Sequence, residues 1–328
     1  MKVEELFNHF NQQKIAVVGD IMLDTYWWGH VERISPEAPV PVVALDKKEL
    51  RLGGAANVAL NTVSLGAATT LFSVIGNDED GETLTKLLQE QNIDTVCLVK
   101  SSTRVTTNKT RIISRNQHMM RLDSEITFDI NIEEQEQFFA AFKNYVENEK
   151  PSVVIFEDYN KGVLTEQIIQ QMIALCKEHA IITTVDPKRK NFFSYKGVNI
   201  FKPNMKEVKE GLNLLVDDIT EPALRSIHQE LNKVLNHSIS LITLSEKGVF
   251  FQADDQSHIL PTHVRSIADV SGAGDTVIAV ASMVYAASND IHLAAAMANI
   301  AGGLVCEEVG TVAINKQKLL HECQLLLS

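Results

Sequence analysis

The sequence is poor in cysteine. Its four, Cys97, Cys176, Cys306 and Cys323, stand too far apart to form a Cys-x-x-Cys pair. That excludes a paired redox motif or a cysteine-built zinc site and points to reduced thiols in core or surface positions. Positive charge is scarce as well. Lys and Arg number 30 against 42 Asp and Glu, and the resulting formal charge of −12 repels polyanions, which argues against a nucleic-acid partner on a basic surface. No apolar run is long enough for a membrane helix: the best stretches, Val277 to Ala287 and Leu293 to Val305, are short and rich in Ala, Gly and Ser. The opening MKVEELFNHFNQQK has two Glu and no apolar centre, so it reads as an amphipathic helix rather than a secretion signal. A cytoplasmic protein without a membrane partner is the expectation. Low-complexity linkers and internal repeats are missing too, which implies a single domain over 1–328.

What is present is ordinary globular material, 45% apolar and 22% charged. Short β-rich runs alternate with amphipathic segments, the pattern of a parallel sheet covered by helices. Strands are expected at Ile15–Val18, Thr70–Ile75, Val153–Phe156, Ile181–Val185, Ile200–Lys202, Leu241–Leu244 and Val249–Gln252. Helices are expected at Ala55–Leu65, Gly81–Glu90, Ile132–Asn148, Thr165–His179, Met205–Leu212, Glu221–Leu235, Gly272–Ser288, Ile291–Glu307 and Lys316–Leu327. Two stretches break the rhythm. The prolines at 36, 39 and 41 forbid a helix and lead into an extended strand at Val40–Leu45. Arg104–Arg115 and His118–Asp123 alternate as strands joined at Asn116-Gln117, so segments of about 25–46 and 96–123 are read as a small β lid.

Asp269-Val-Ser-Gly-Ala-Gly-Asp275 runs straight into an apolar helix. Glycines 272 and 274 let backbone N–H groups converge at a helix start, where free donors and the dipole favour an anion. Asp275, in the first helical turn, stands where it could take a proton from an attacking hydroxyl. The spacing fits neither a P-loop nor a Gly-x-Gly-x-x-Gly fingerprint. Asp20 and Asp24 follow the first strand, at the sheet edge where open α/β proteins bind ligands, and Asp24 could accept hydrogen bonds from sugar hydroxyls. Gly53-Gly54-Ala-Ala-Asn57 allows close backbone approach beside a residue that both donates and accepts, as a polyol requires.

With these residues in view, the chain resembles the ribokinase-like, or PfkB, carbohydrate kinases. Gly53-Gly54 with Asn57 and DVSGAGD look like that family's two signatures, Asn204-Met205-Lys206-Glu207 like its N-x-x-E motif, and Thr243 to Gly248 like its nucleotide-phosphate segment, all in family order. The resemblance implies a doubly wound, mostly parallel sheet flanked by helices with a small β-sheet lid. It implies Asp275 as general base, an anion hole from the amides of Gly272, Ala273, Gly274 and Asp275, and ATP with Mg²⁺ organised by Asn204 to Glu207, the Glu207 contact running through water. Ser245 and Gly248 would line the phosphates, Asn299 would lie toward the adenine, and Asp269 could serve a monovalent cation such as K⁺ seen in some relatives.

Further stretches are similar to one subgroup, the heptose 7-phosphate kinases of lipopolysaccharide-core and ADP-heptose synthesis: VVGDIMLDTYWWG, RISPEAPVPV over 33–42, DYNKG, VDPK and KPNMKE. The resemblance implies ATP-dependent phosphorylation of the anomeric hydroxyl of D-glycero-β-D-manno-heptose 7-phosphate. A second anion site is then needed. Lys109, Arg111 and Arg115 are even-spaced on one strand face with Arg121 on the partner strand, and Lys161 and Lys188 converge at strand ends, although charges on an exposed strand also guard it against edge pairing. Trp27 and Trp28 are expected to cover the sugar or pack at a subunit contact, and a homodimer through the lid is plausible on family grounds. No His-x-Gly-His occurs, so adenylylation would fall to a separate nucleotidyltransferase. Another sugar or sugar phosphate, such as a fructose phosphate, is the alternative acceptor. A non-catalytic sugar or nucleotide sensor is disfavoured by the joint presence of Asp275, Gly272, Gly274, Asn204 and Glu207.

Overall fold

The computed structural model describes residues 2–115, 117–214 and 219–327. Its strands are β1 (Lys14–Gly19), β2 (Ile21–Ile34), β3 (Pro41–Gly54), β4 (Ala68–Gly76), β5 (Leu98–Ser101), β6 (Asn108–Ser114), β7 (Gln117–Ser124), β8 (Val153–Glu157), β9 (Ile182–Asp186), β10 (Ile200–Phe201), β11 (Ile239–Thr243), β12 (Val249–Ala253) and β13 (Gln256–Leu260). Its α-helices are α1 (Val3–Phe10), α2 (Ala55–Leu65), α3 (Glu79–Glu90), α4 (Ile132–Glu149), α5 (Glu166–Glu178), α6 (Met205–Leu212), α7 (Glu221–Leu235), α8 (Ala273–Ser288), α9 (Ile291–Val305) and α10 (Lys316–Leu326).

Strands such as Val153–Glu157 are buried along their whole length, and a strand apolar on both faces needs helices on both. The large sheet accordingly runs β13-β12-β11-β10-β9-β8-β1-β4-β5, parallel except where β12 pairs antiparallel with β11 and β13. One core lies under α1–α3 and α8–α10, the other under α4–α7. This is the expected ribokinase-like α/β architecture. Among the described residues, no helix is long and apolar enough to cross a membrane.

The second sheet has the order β3-β2-β6-β7. Only Asp20 separates β1 from β2, and Gly54, the last residue of β3, is the N-cap of α2, so the lid grows out of the body without a linker. Three expectations change here. The lid sheet draws on 21–54 and 108–124 rather than 25–46 and 96–123, because Leu98–Ser101 pairs in parallel with β4 at the edge of the large sheet. Alternation marks a strand but not the sheet it joins. Arg104–Arg115 is extended only from Asn108, and before it the Thr106 N–H is given to Asp78 Oδ2 at 2.8 Å rather than to a neighbouring strand. Arg115 has a φ of 46°, outside the strand, so its side chain does not share the face of Lys109 and Arg111. Asn116 of the expected Asn116-Gln117 turn lies outside the described residues. The proline-rich run forms the exposed turn between β2 and β3, closed by Ser35 N–H donating to the Val40 carbonyl at 2.8 Å.

His237, buried where α7 meets β11, is a point at which acid weakens the body. Its Nε2 lies 2.6 Å from Ser240 Oγ, its Nδ1 has no partner among the described residues, and burial beside the His228 ring pushes it down to about 3. In the unfolded chain an imidazole titrates near ~6.5. Between those values the unfolded state binds the extra proton, so stability is lost as pH falls through about 6.5, at up to roughly 1.4 kcal/mol per pH unit. Urea midpoints at pH 7 and pH 5 should differ less in His237→Gln than in the wild type; equal differences would remove this account.

Candidate active site

The carboxyl ends of β1, β8, β9 and β10 deliver a row of charged side chains to one edge of the sheet, the edge at which parallel α/β sheets present their ligand crevice. Asp20 follows β1, Glu157 ends β8, Asp186 ends β9 and Lys202 follows β10, all buried. Asp20 accepts the backbone N–H groups of Tyr159 (2.8 Å), Lys161 (3.1 Å) and Val163 (3.1 Å), so it shapes the loop after β8 rather than facing a ligand. Asp186 is clamped by Lys202 at 2.5 Å and Lys188 at 3.2 Å. Burial would raise its carboxyl, but the two ammonium groups hold it below the usual range.

Helix α8 starts over this floor. Gly272, its N-cap, has a φ of 77°, and a Cβ there would stand 2.8 Å from Asn57 Nδ2, so both the backbone sign and the close approach require glycine. The Ala273 amide donates to the Val270 carbonyl at 3.3 Å and is therefore spent. Among the described residues, the amides of Gly272, Gly274 and Asp275 have no protein acceptor, which leaves these three as the free donors of the cradle. The expectation that Ala273 contributes its amide is thereby corrected.

Asp275 is buried and receives two donors, Asn57 Nδ2 on Oδ2 at 2.7 Å and the Tyr159 hydroxyl on Oδ1 at 2.8 Å. Burial raises its carboxyl to about 6 against the lowering by those donors. Such a carboxylate is ionised at neutral pH yet basic enough to accept a proton. Asn57 stands in the first turn of α2, so the glycine-pair signature and the C-terminal signature meet at Asp275.

Asp24 lies in mid-strand on β2, not in a loop, with Arg111 from β6 at 2.5 Å. A Cβ at residue 53 would come within 2.3 Å of Asp24 Oδ2, which explains the glycine on the paired strand. Arg111 and Arg51 lie 5.1 and 5.0 Å from the centre of the Tyr26 ring, and Arg51 also donates to the Val309 carbonyl at 2.7 Å, joining lid to body. Trp28 stacks on Tyr26, with ring centres 6.2 Å apart, and gives its indole N–H to Glu49 at 2.9 Å.

The basic residues divide. Lys109 lies 5.5 Å over the Tyr159 ring and forms no ion pair among the described residues; burial and the nearby Lys161 lower its affinity for a proton. Lys161 is held by Glu125 at 2.7 Å, Lys188 bridges Asp186 and Glu207, and Arg121 is exposed and paired with Asp123 at 2.9 Å. Arg115 is exposed at the end of β6, so the six do not form one cluster.

On the nucleotide side, Asn204 and Glu207 form a reciprocal cap on α6, each side chain accepting the other's backbone N–H at 2.8 Å. The second oxygen of Glu207 accepts from Lys188 at 2.7 Å. Met205 is buried and Lys206 points to solvent near Glu210. Ser245 and Gly248, with φ of 54° and 96°, shape the turn from β11 to β12, and Asn204 bridges to Thr243 just before it. Asn299 donates to the Pro261 carbonyl at 2.9 Å, tying α9 to the segment after β13. Asp269 accepts the Ser271 N–H and hydroxyl and the Gly310 N–H, and these bonds hold it below its ordinary range despite burial.

Sequence reasoning did not single out Glu157, Tyr159, Asp186 or Lys202. All four lie within or beside the stretches DYNKG, VDPK and KPNMKE, where charged or phenolic residues directly follow apolar strands, and that position was the available signal.

Comparison with known proteins gives the family and the fold. The family model described as pfkB family carbohydrate kinase matches residues 12–318. The chain is 37% identical over 324 residues to the bifunctional protein HldE of Syntrophotalea carbinolica, covering 98% of this chain, and 38% identical over 316 residues to that of Helicobacter pylori, covering 96%. It spans 64% and 66% of those two relatives, so each extends well beyond the match. Phosphofructokinase-2 from Escherichia coli in complex with potassium shares the fold with a TM-score of 0.77 at 17% identity, covering 95% of this chain and 99% of that one. Arabidopsis thaliana ribokinase complexed with ribose and ATP does so at 0.71 and 15%, covering 94% and 98%. The model matched from residue 12 to 318 leaves only the chain's ends outside it, and the chain belongs to the pfkB family of carbohydrate kinases.

Proposed function

We propose that this kinase transfers the γ-phosphoryl group of ATP to the anomeric hydroxyl of D-glycero-β-D-manno-heptose 7-phosphate, yielding the 1,7-bisphosphate and ADP. The observation that carries the chemistry is the buried Asp275 carboxylate in the first turn of α8, a helix that opens with the unspent amides of Gly272, Gly274 and Asp275. In this reading Asp275 accepts the proton of the sugar hydroxyl as its oxygen attacks phosphorus, and the Gly274 and Asp275 amides donate to the oxygens on which charge accumulates. Asn57 and Tyr159 aim the carboxylate. Asp24, fixed by Arg111, is placed to accept from the sugar's other hydroxyls. The heptose acceptor rests on the relatives named HldE and on the 33–42 run that the chain resembles in that subgroup.

Mg²⁺ accompanying ATP supplies charge neutralisation at the phosphates. Glu207 fits an outer role there, since each of its oxygens already accepts one hydrogen bond and retains a lone pair for a water. Asp269 ties its own turn to Gly310 through three hydrogen bonds, and no step here uses K⁺. For the distal phosphate the best-placed cation is Lys109, which lies between lid and body near Lys161 and has no ion pair among the described residues. Ile34, Val40, Leu45 and Met120 expose apolar surface on the lid, which supports pairing of two copies through it.

An ADP-release assay over heptose 7-phosphate, fructose phosphates, ribose and adenosine tests the acceptor. Heptose 7-phosphate should give the highest kcat/KM, and a clear preference for a fructose phosphate would transfer the assignment to that sugar. Lys109→Met should raise KM for the sugar phosphate at least about tenfold and leave KM for ATP within a factor of about two, because one charge-assisted contact is lost. Equal effects on both would remove Lys109 from the distal site.

A further inference from the structure

Glu157 is the one floor carboxylate that the site reading leaves without a role. It ends β8, is fully buried, and neither of its oxygens has a hydrogen-bond partner among the described residues. Its neighbours are all satisfied: Asp20 by three amides, Asp158 by the Asn160 amide, Asn191 and Tyr195, Asp186 by two lysines, and Asp275 by Asn57 and Tyr159. A carboxylate with no donor in a dry interior is held by a cation or takes a proton. Burial, reinforced by Asp186 and Asp275, pushes Glu157 well above the usual carboxylate range so long as nothing positive is bound.

Geometry and charge favour the cation. Oxygens of Glu157, Asp186 and Asp275 lie within 4.8 Å of one another, a spacing that one ion can bridge. Four carboxylates, Glu157, Asp186, Asp275 and Glu207, share this region with two ammonium groups, Lys188 and Lys202, which leaves a formal charge of −2. All the donor atoms are carboxylate oxygens, the hard ligands that suit Mg²⁺ or Mn²⁺. The site also opens in a useful direction: a Cβ at Gly274 would be 3.5 Å from both Asp186 Oδ2 and Lys202 Nζ, which puts this cluster immediately beneath the anion cradle.

We propose that Glu157 and Asp186 bind one divalent cation directly in the nucleotide-free protein, with Asp275 facing it across the cluster. Glu207 is not among the three carboxylates whose oxygens converge within 4.8 Å, and it is not an inner ligand of this ion. The inference is independent of which sugar is phosphorylated.

The test is a titration of the full chain with Mn²⁺ in the absence of nucleotide, following the loss of the free-ion electron paramagnetic resonance signal, with Mg²⁺ as competitor. The wild type should bind one Mn²⁺ that Mg²⁺ displaces. Glu157→Gln should weaken binding at least about tenfold, while Glu207→Gln should leave it within a factor of about two. Circular dichroism checks that each variant is folded. Should Glu157→Gln fail to fold, Asp186→Asn takes its place with the same expected loss. In parallel, Mg²⁺ alone should raise the melting temperature of the wild type by mass action. Absence of Mn²⁺ binding without nucleotide would overturn the proposal in favour of a protonated Glu157, as would wild-type affinity in Glu157→Gln.

Discussion

Asp275→Asn is expected to lower kcat by about 10²- to 10⁴-fold, the range of a well-placed general base. The fold should survive. Asparagine can turn its carbonyl toward Asn57 Nδ2 and its amide toward the Tyr159 hydroxyl, which then accepts instead of donating, so both hydrogen bonds persist with one reversed. KM for ATP should move little, because the amides of Gly274 and Asp275 belong to the backbone and remain. The pH profile separates loss of a base from loss of shape. With Asp275 at about 6, the wild-type kcat/KM should decline tenfold per unit below that pH as the carboxylate is protonated, and the variant's residual activity should lack this limb. Near-normal turnover, or an unchanged acid limb, would take the proton-accepting role away from Asp275.

Lys202→Met should have the largest effect on stability. The ammonium is 2% exposed and 2.5 Å from Asp186, itself buried. Removing one partner of a buried pair leaves a desolvated charge behind, and the cost is about 3–5 kcal/mol. Lys188, at 3.2 Å from the same carboxylate, offsets part of it, which places the expectation toward the lower end. Asp186→Asn in the Lys202→Met background should recover most of the loss, since the stranded charge is then gone. Denaturant midpoints of the four proteins give the coupling. If the double variant is as unstable as the sum of the single ones, the pair is not the source of the effect.

These two residues also show where the sequence was readable. The α/β alternation stood out because fully buried parallel strands form unbroken apolar runs, as at Val153–Glu157, and because polar caps such as Asn204 mark helix starts. Asp275 was readable because its glycine-rich turn occurs with Gly53-Gly54 and Asn57 and with Asn204 to Glu207 in the order of one family; alone, an acid in such a turn serves as readily to cap the helix. Lys202 was not: a lysine after a strand is exposed in most proteins, and only the three-dimensional meeting of β9 and β10 buries it against Asp186. Glu157 escaped for the same reason. Strand β2 was missed because Ile21–Ile34 begins buried and ends exposed, so no single period runs through it. β13 was missed because Gln256–Leu260 is short and half polar. Arg115 was misplaced by counting along a strand that ends one residue earlier.

The absence of any linker between the two sheets ties the aim of the acid to the upper sheet. Gly54 closes a strand of that sheet and opens α2, and Asn57, three residues later, donates to Asp275. Residues inserted between that strand and the helix would displace the donor that orients the carboxylate, so the upper sheet cannot be lengthened at this junction without re-aiming Asp275.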